Sequence, residues 1–133
     1  MSAATSIQTV RPTRRYGAWT LQGIVAAAFL AAGLAKLAGA PFMVGIFEQI
    51  GIGQWFRIVT GVVEVTGAVA LLVPGFASIG ALWLGGTMVF AVATHLFVLH
   101  TSPAAAIVLG LLNTAIIYLR RDELVDLLER IKG

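Results

Sequence analysis

The sequence predicts an all-α integral membrane protein: a four-helix bundle with a short interfacial helix between its first two spans and an amphipathic helix at its C-terminus. Three observations carry that expectation. Of the 133 residues, 59% are hydrophobic and only 11% are charged, against about a quarter charged in an ordinary soluble domain. The 83 residues between Lys36 and Arg120 hold just three formal charges, Glu48, Arg57 and Glu64, too few to clothe a soluble fold. The apolar runs also come near the ~20 residues that cross ~30 Å of hydrocarbon. Four spans with short loops fill the chain, so residues 1–133 form a single membrane domain with no room for a second, soluble one.

Residues 1–15 are polar, rich in Ser and Thr and without periodicity, and read as a cytoplasmic tail ending in Arg14-Arg15. The first span covers about 18–37, with Tyr16 and Trp19 as interface anchors. A rival reading makes this stretch a signal peptide cut near Ala38-Gly39-Ala40. The apolar run is longer than the usual 7 to 15 residues of such a peptide, and Lys36 sits too close to the cut. From Pro41 to Ile50 the apolar residues Phe42, Met43, Ile46, Phe47 and Ile50 form one stripe of a helix. Pro41 suits its first turn and Gly51 its C-cap. Too short to span, it belongs along the membrane surface.

Trp55 and Arg57 mark the next interface, and the second span covers about 56–73. Pro74-Gly75 is a tight turn. The third span covers about 76–99, the segment from His100 to Pro103 turns the chain, and the fourth span covers about 104–119, closed by Tyr118 and Arg120-Arg121. Over 122–132, Leu124, Leu127, Leu128 and Ile131 recur at helical spacing, with Asp126 and Arg130 paired four apart on the polar side.

Basic residues set the topology. Arg11, Arg14, Arg15, Arg120, Arg121, Arg130 and Lys132 fall on one side of the four spans, and only Lys36 and Arg57 on the other. The positive-inside rule then puts both termini in the cytoplasm. The net charge of +3 is thus a topology signal, and the lipid bilayer, not nucleic acid, is the expected partner. With no cysteine the chain forms no disulfide and holds no thiolate-bound zinc, iron-sulfur cluster or haem. His95 and His100 lack the four-residue spacing of a helical metal pair and have no carboxylate near them in sequence, so no metal site is expected.

Four side chains are costly within the spans, namely Lys36, Glu64, His95 and Asn113, and each must face protein or water. Glu64 lies seven residues past Arg57, ~10 Å down, and His95 ~6 Å from the same outer surface. Lys36 stands near the outer end of its span. Small residues share their helix faces: Ala32 and Gly33 with Lys36, Thr60, Gly61 and Gly67 with Glu64, Ala91 with His95, and Gly110 with Asn113. Small faces let helices approach closely in membranes. One outward-facing polar cluster with Glu64 at its base is the simplest arrangement.

Blander roles stand beside it. Lys36 can snorkel to the interface, His95 can bond a backbone carbonyl, and Asn113 reads as an interhelical hydrogen-bonding residue. Glu64 is too deep and too short to snorkel, so it is either paired with Lys36, Arg57 or His95 or carries a proton. Glu64, His95, Lys36 and Arg57 are therefore the candidates for ligand binding or proton exchange, with Thr60, Thr94 and Asn113 as secondary polar groups.

Three stretches stand out together: Ala32-Gly33-Leu34-Ala35-Lys36-Leu37, Gln54-Trp55-Phe56-Arg57 leading into Gly61-Val62-Val63-Glu64-Val65-Thr66-Gly67-Ala68, and Ala93-Thr94-His95. They carry a resemblance to the DoxX/DoxX-like family of small four-span bacterial membrane proteins. It covers essentially 18–121. The family takes its name from a subunit of a thiosulfate:quinone oxidoreductase, and most members have no established activity. The resemblance implies a place in the bacterial cytoplasmic membrane. It also implies a quinone as the cofactor class of a redox-linked role, filled as an accessory subunit and not as an autonomous enzyme.

Two functions of different classes follow. In one, the polar cluster binds a small molecule or quinone, Glu64 and His95 exchange protons, and Lys36 or Arg57 holds an anionic group. In the other, a non-catalytic subunit or scaffold docks a partner protein, or a second copy of itself, and the cluster only locks the bundle. A dry, closed Glu64–Lys36 pair decides against the first. Transport is a weaker third reading, because four short unbroken spans leave little room for alternating access.

Overall fold

The computed structural model describes residues 12–132, and within them every regular element is helical. The expected tail up to Arg11 lies outside the described residues. Helix α1 runs Pro12–Ala38, α2 Pro41–Ile50, α3 Gln54–Leu72, α4 Ala77–Thr94, α5 Ala104–Leu119 and α6 Arg121–Lys132, with a π-helical turn His95–Leu99 continuing α4. The first turns of α1 thus take in residues that sequence alone assigns to the tail: Pro at the first helical position is already set for helical φ and lacks only an N–H that would be unpaired there.

Local chemistry explains the breaks. Gly39 ends α1 with φ 73°, a conformation that costs glycine nothing. Ala40 N–H then reaches Ala35 O at 3.0 Å and Gly39 N–H reaches Lys36 O at 3.2 Å, the paired bonds of a Schellman cap. Pro41 restarts the chain as α2, and Gly51 caps it as the sequence predicts, its N–H on Phe47 O. The Pro74-Gly75 turn separates α3 from α4. Beyond α4, His100 takes a left-handed conformation with φ 54°, and Thr101 N–H closes the π-turn onto His95 O at 2.9 Å.

The long helices bury one stripe each. In α3 it is Gly61, Glu64, Gly67, Ala68 and Leu71, spaced three and four apart as one helix face requires. The core joins Val25, Ala26 and Phe29 of α1 to Leu71 of α3, Leu84 and Met88 of α4 and Ile116 of α5. Helix α1 packs on α3 and α5, and α4 packs on the same two. Helices α1 and α3 come close at Gly33 and Gly61, where a Cβ added to either would meet the other's carbonyl oxygen at 3.0 Å. Outward faces are apolar, with Phe90 78% and Val89 69% exposed, as lipid-facing surfaces are and those of soluble proteins are not.

Thr13–Ala38, Trp55–Leu72 and Ala77–Leu99 are long and apolar enough to cross a membrane. The 16-residue α5 reaches that length only together with α6, from which it is bent by 68°. The two ends of the described chain meet: Arg14 bridges to Asp122 at 3.0 Å. One end of the molecule, the terminal end, therefore gathers the start of α1 and all of α6. The far end carries α2 and the π-turn.

Candidate functional site

A helix leaves its last four carbonyls without intrahelical partners, and in a lipid environment water does not supply them. Side chains from neighbouring helices fill this need. At the far end, Arg57 Nη1 donates to Lys36 O in the last turn of α1, and its Nε donates to Gln54 Oε1 at 2.7 Å. The guanidinium caps a helix C-terminus, where a positive charge is also favoured by the dipole. Arg57 is thus engaged with backbone instead of standing free for an anion.

One turn away, Lys36 Nζ donates to Glu64 Oε1 at 2.6 Å, the two side chains 12% and 5% exposed. The Gly33–Gly61 contact brings α1 and α3 close enough for this, since each glycine lies three residues before one member of the pair. Lys36 does not snorkel to the surface: its ammonium turns inward to a carboxylate. Arg57, Lys36 and Glu64 form one layer, tied to α2 by Gln54 Nε2 donating to Val44 O at 3.1 Å.

His95 is not part of it. As the first residue of the π-turn it meets Thr101, Nδ1 to Oγ1 at 2.7 Å, and it lines a groove against α2 to which neither Glu64 nor Lys36 contributes. The single cluster expected from sequence is therefore two separate sites. Comparable depth on two helices does not fix the rotation of one helix against the other.

Asn113 also departs from expectation. Although fully buried, its Nδ2 donates to Leu109 O of its own helix at 2.9 Å, and its Oδ1 has no partner among the described residues. The bond is intrahelical because Gly85 faces Asn113 across the α4–α5 contact and offers no side chain. Thr60 and Thr94 bond back to Phe56 O and Phe90 O, each at 2.8 Å, the usual way a hydroxyl is satisfied within a helix.

The terminal end holds a network that sequence reading passed over. Gln22, 1% exposed, donates through Nε2 to Leu71 O at 2.7 Å and accepts at Oε1 from Arg120 Nε at 2.7 Å. The Arg120 guanidinium lies 5.4 Å from the Trp19 ring centroid, a cation–π distance. Arg14 donates to Leu119 O through Nε and Nη2 at 3.0 and 2.9 Å. Helices α3 and α5 are thereby capped from α1, as α1 is capped from α3. A signal was available: Gln22 shares a face with Val25, Ala26 and Phe29, three, four and seven residues on. Among the described residues no three His, Cys, Asp or Glu side chains come together as a metal site would require.

Long apolar helices, lipid-type outward faces and interlocking helix caps define a small helical membrane protein. The chain belongs to the DoxX-like family, whose model matches residues 20–118. It matches no curated protein and no solved structure.

Proposed function

We propose that this chain is a non-catalytic membrane subunit or scaffold that docks a partner protein, with its polar groups locking the helices together. The supporting observation is the closed Lys36–Glu64 pair. Its cation and carboxylate satisfy each other at 2.6 Å, and Arg57 is held by a helix terminus, so no charge in this layer is left for a substrate. Proton exchange between Glu64 and His95 on a quinone-like molecule requires both in one cavity. The groove at His95 lacks Glu64, so this second reading has less support.

In the membrane the reading has four spans in one bundle, with α2 and α6 lying along the two surfaces. At 1.5 Å per residue α5 is ~24 Å long, somewhat short of the hydrocarbon, and such a mismatch is met by local thinning and flanking anchors. The Arg14–Asp122 contact supports both chain ends on one side. Arg14, Arg15, Arg120, Arg121, Arg130 and Lys132 at that end, against Lys36 and Arg57 opposite, support the cytoplasmic face of a bacterial inner membrane.

A double-mutant cycle tests the lock. Glu64→Leu and Lys36→Met each lower the unfolding midpoint in mixed detergent, while the double variant returns to near wild type and keeps the protein's function in cells. Unchanged midpoints for the single variants, with function lost in the double, would overturn the proposal.

A further inference from the structure

The groove at the far end, about 410 Å³ in volume, falls within the size range of small-molecule sites. One wall is a single face of α2 carrying Phe42, Gly45, Ile46 and Gln49, and the other is His95 and Leu99 of the π-turn. Four features make it a site and not a packing defect. First, the His95 ring is fixed by its bond to Thr101 and by the Thr101 N–H bond to His95 O beneath it, while Nε2 has no partner among the described residues. Second, the segment holding it is irregular, a π-turn followed by a left-handed His100, and such turns collect at functional sites. Third, Gly45 lies in the middle of α2, where glycine costs ~1 kcal/mol relative to alanine; a Cβ there would meet nothing within 4 Å, so the fold does not require it and its open space faces the groove. Fourth, no Lys, Arg, Asp or Glu lines the groove.

The uncharged lining fixes the ligand class. An ionic headgroup entering here finds no Lys, Arg, Asp or Glu in the lining, and Lys36, Glu64 and Arg57 are engaged elsewhere. Of the polar side chains in the lining, Thr101 is bonded to His95 Nδ1, and His95 Nε2 and the Gln49 amide suit a neutral oxygen. Either tautomer of His95 is served by a hydroxyl, which both donates and accepts.

We propose that this groove binds an uncharged amphiphile, its hydroxyl or carbonyl head on His95 and Gln49 and its apolar body between Phe42, Ile46 and Leu99. The site goes beyond the scaffold role and does not depend on it.

The probe is a long-chain fatty alcohol carrying a diazirine on its chain, photolysed with the full-length protein in phosphatidylcholine nanodiscs and mapped by mass spectrometry. The label is expected on residues 42–49 and 95–101, at least tenfold above the outward faces of α3 and α4. Gly45→Leu, which fills open space and favours the helix, is expected to reduce it tenfold with an unchanged melting midpoint. Gln49→Leu, at an exposed position, gives the same loss should Gly45→Leu fail to fold. The matching fatty acid at pH 8 is expected to label at least fivefold less. Label spread evenly over the lipid-facing helices, equal labelling by acid and alcohol, or label unmoved by both variants would overturn the site.

Discussion

The two ends of the bundle solve one problem with different chemistry. Each must satisfy the last carbonyls of helices that end in or near lipid, and each does so with a side chain from a neighbouring helix. At the far end an arginine caps α1 beside a buried lysine–carboxylate pair. At the terminal end a neutral glutamine bridges the α3 carbonyl to Arg120, and Arg14 caps α5. The far-end layer confines two opposite charges away from solvent, so losing one strands the other. The terminal-end layer confines an amide, and its Arg120 guanidinium also faces the Glu123 carboxylate at 3.9 Å, so the cation keeps an opposite charge when the amide is lost. The far end should therefore be brittle and the terminal end tolerant.

The largest effect belongs to the ion pair. Glu64→Ala leaves the Lys36 ammonium without a partner and should cost about 4 kcal/mol, read as a fall in unfolding free energy in mixed detergent. A loss below that of any terminal-end variant would reverse the comparison. Next is the contact that brings the pair together. Gly61→Leu drives a side chain into Gly33 O and Leu37 and should cost about 3 kcal/mol; a paired spin label on α1 and α3 should report the helices moving apart.

At the terminal end, Gln22→Leu strands Leu71 O and releases Arg120, for about 2 kcal/mol. If hydrogen exchange at Leu71 to Val73 stays as slow as in the wild type, the bridge contributes nothing. Asn113→Leu removes an amide with one unpaired atom and no interhelical bond. It should raise stability by up to about 1 kcal/mol, whereas the loss of a true interhelical bond lowers it by about 0.6 kcal/mol. Smallest is Asp126→Asn in α6, which removes an exposed pair to Arg130 worth about 0.4 kcal/mol and should be invisible at high salt.

How much was legible depended on whether the signal was local. Helix α2 has the expected bounds because Pro41 and Gly51 act on their own neighbours, and α5 likewise spans 104–119. Glu64 was legible as a group in need of a partner, because a lone carboxylate within an apolar run stands out whatever surrounds it. Its partner was not legible: Lys36, Arg57 and His95 were equivalent candidates by depth. Gln22 escaped notice because an uncharged amide near a helix end raises no alarm by composition, although the Val25, Ala26 and Phe29 on its face marked it as inward.

The sequence by itself determined the class of protein, the helix breaks before Pro41, at Gly51 and at Pro74-Gly75, and that Glu64 needed a partner. These follow from transfer free energy and backbone chemistry, which act residue by residue. Only the tertiary structure decided that Lys36 meets Glu64, that Arg57 serves a helix end and that His95 stands apart beside α2. Those outcomes depend on the rotation and approach of one helix against another, set by contacts such as Gly33 on Gly61 between residues far apart in the chain.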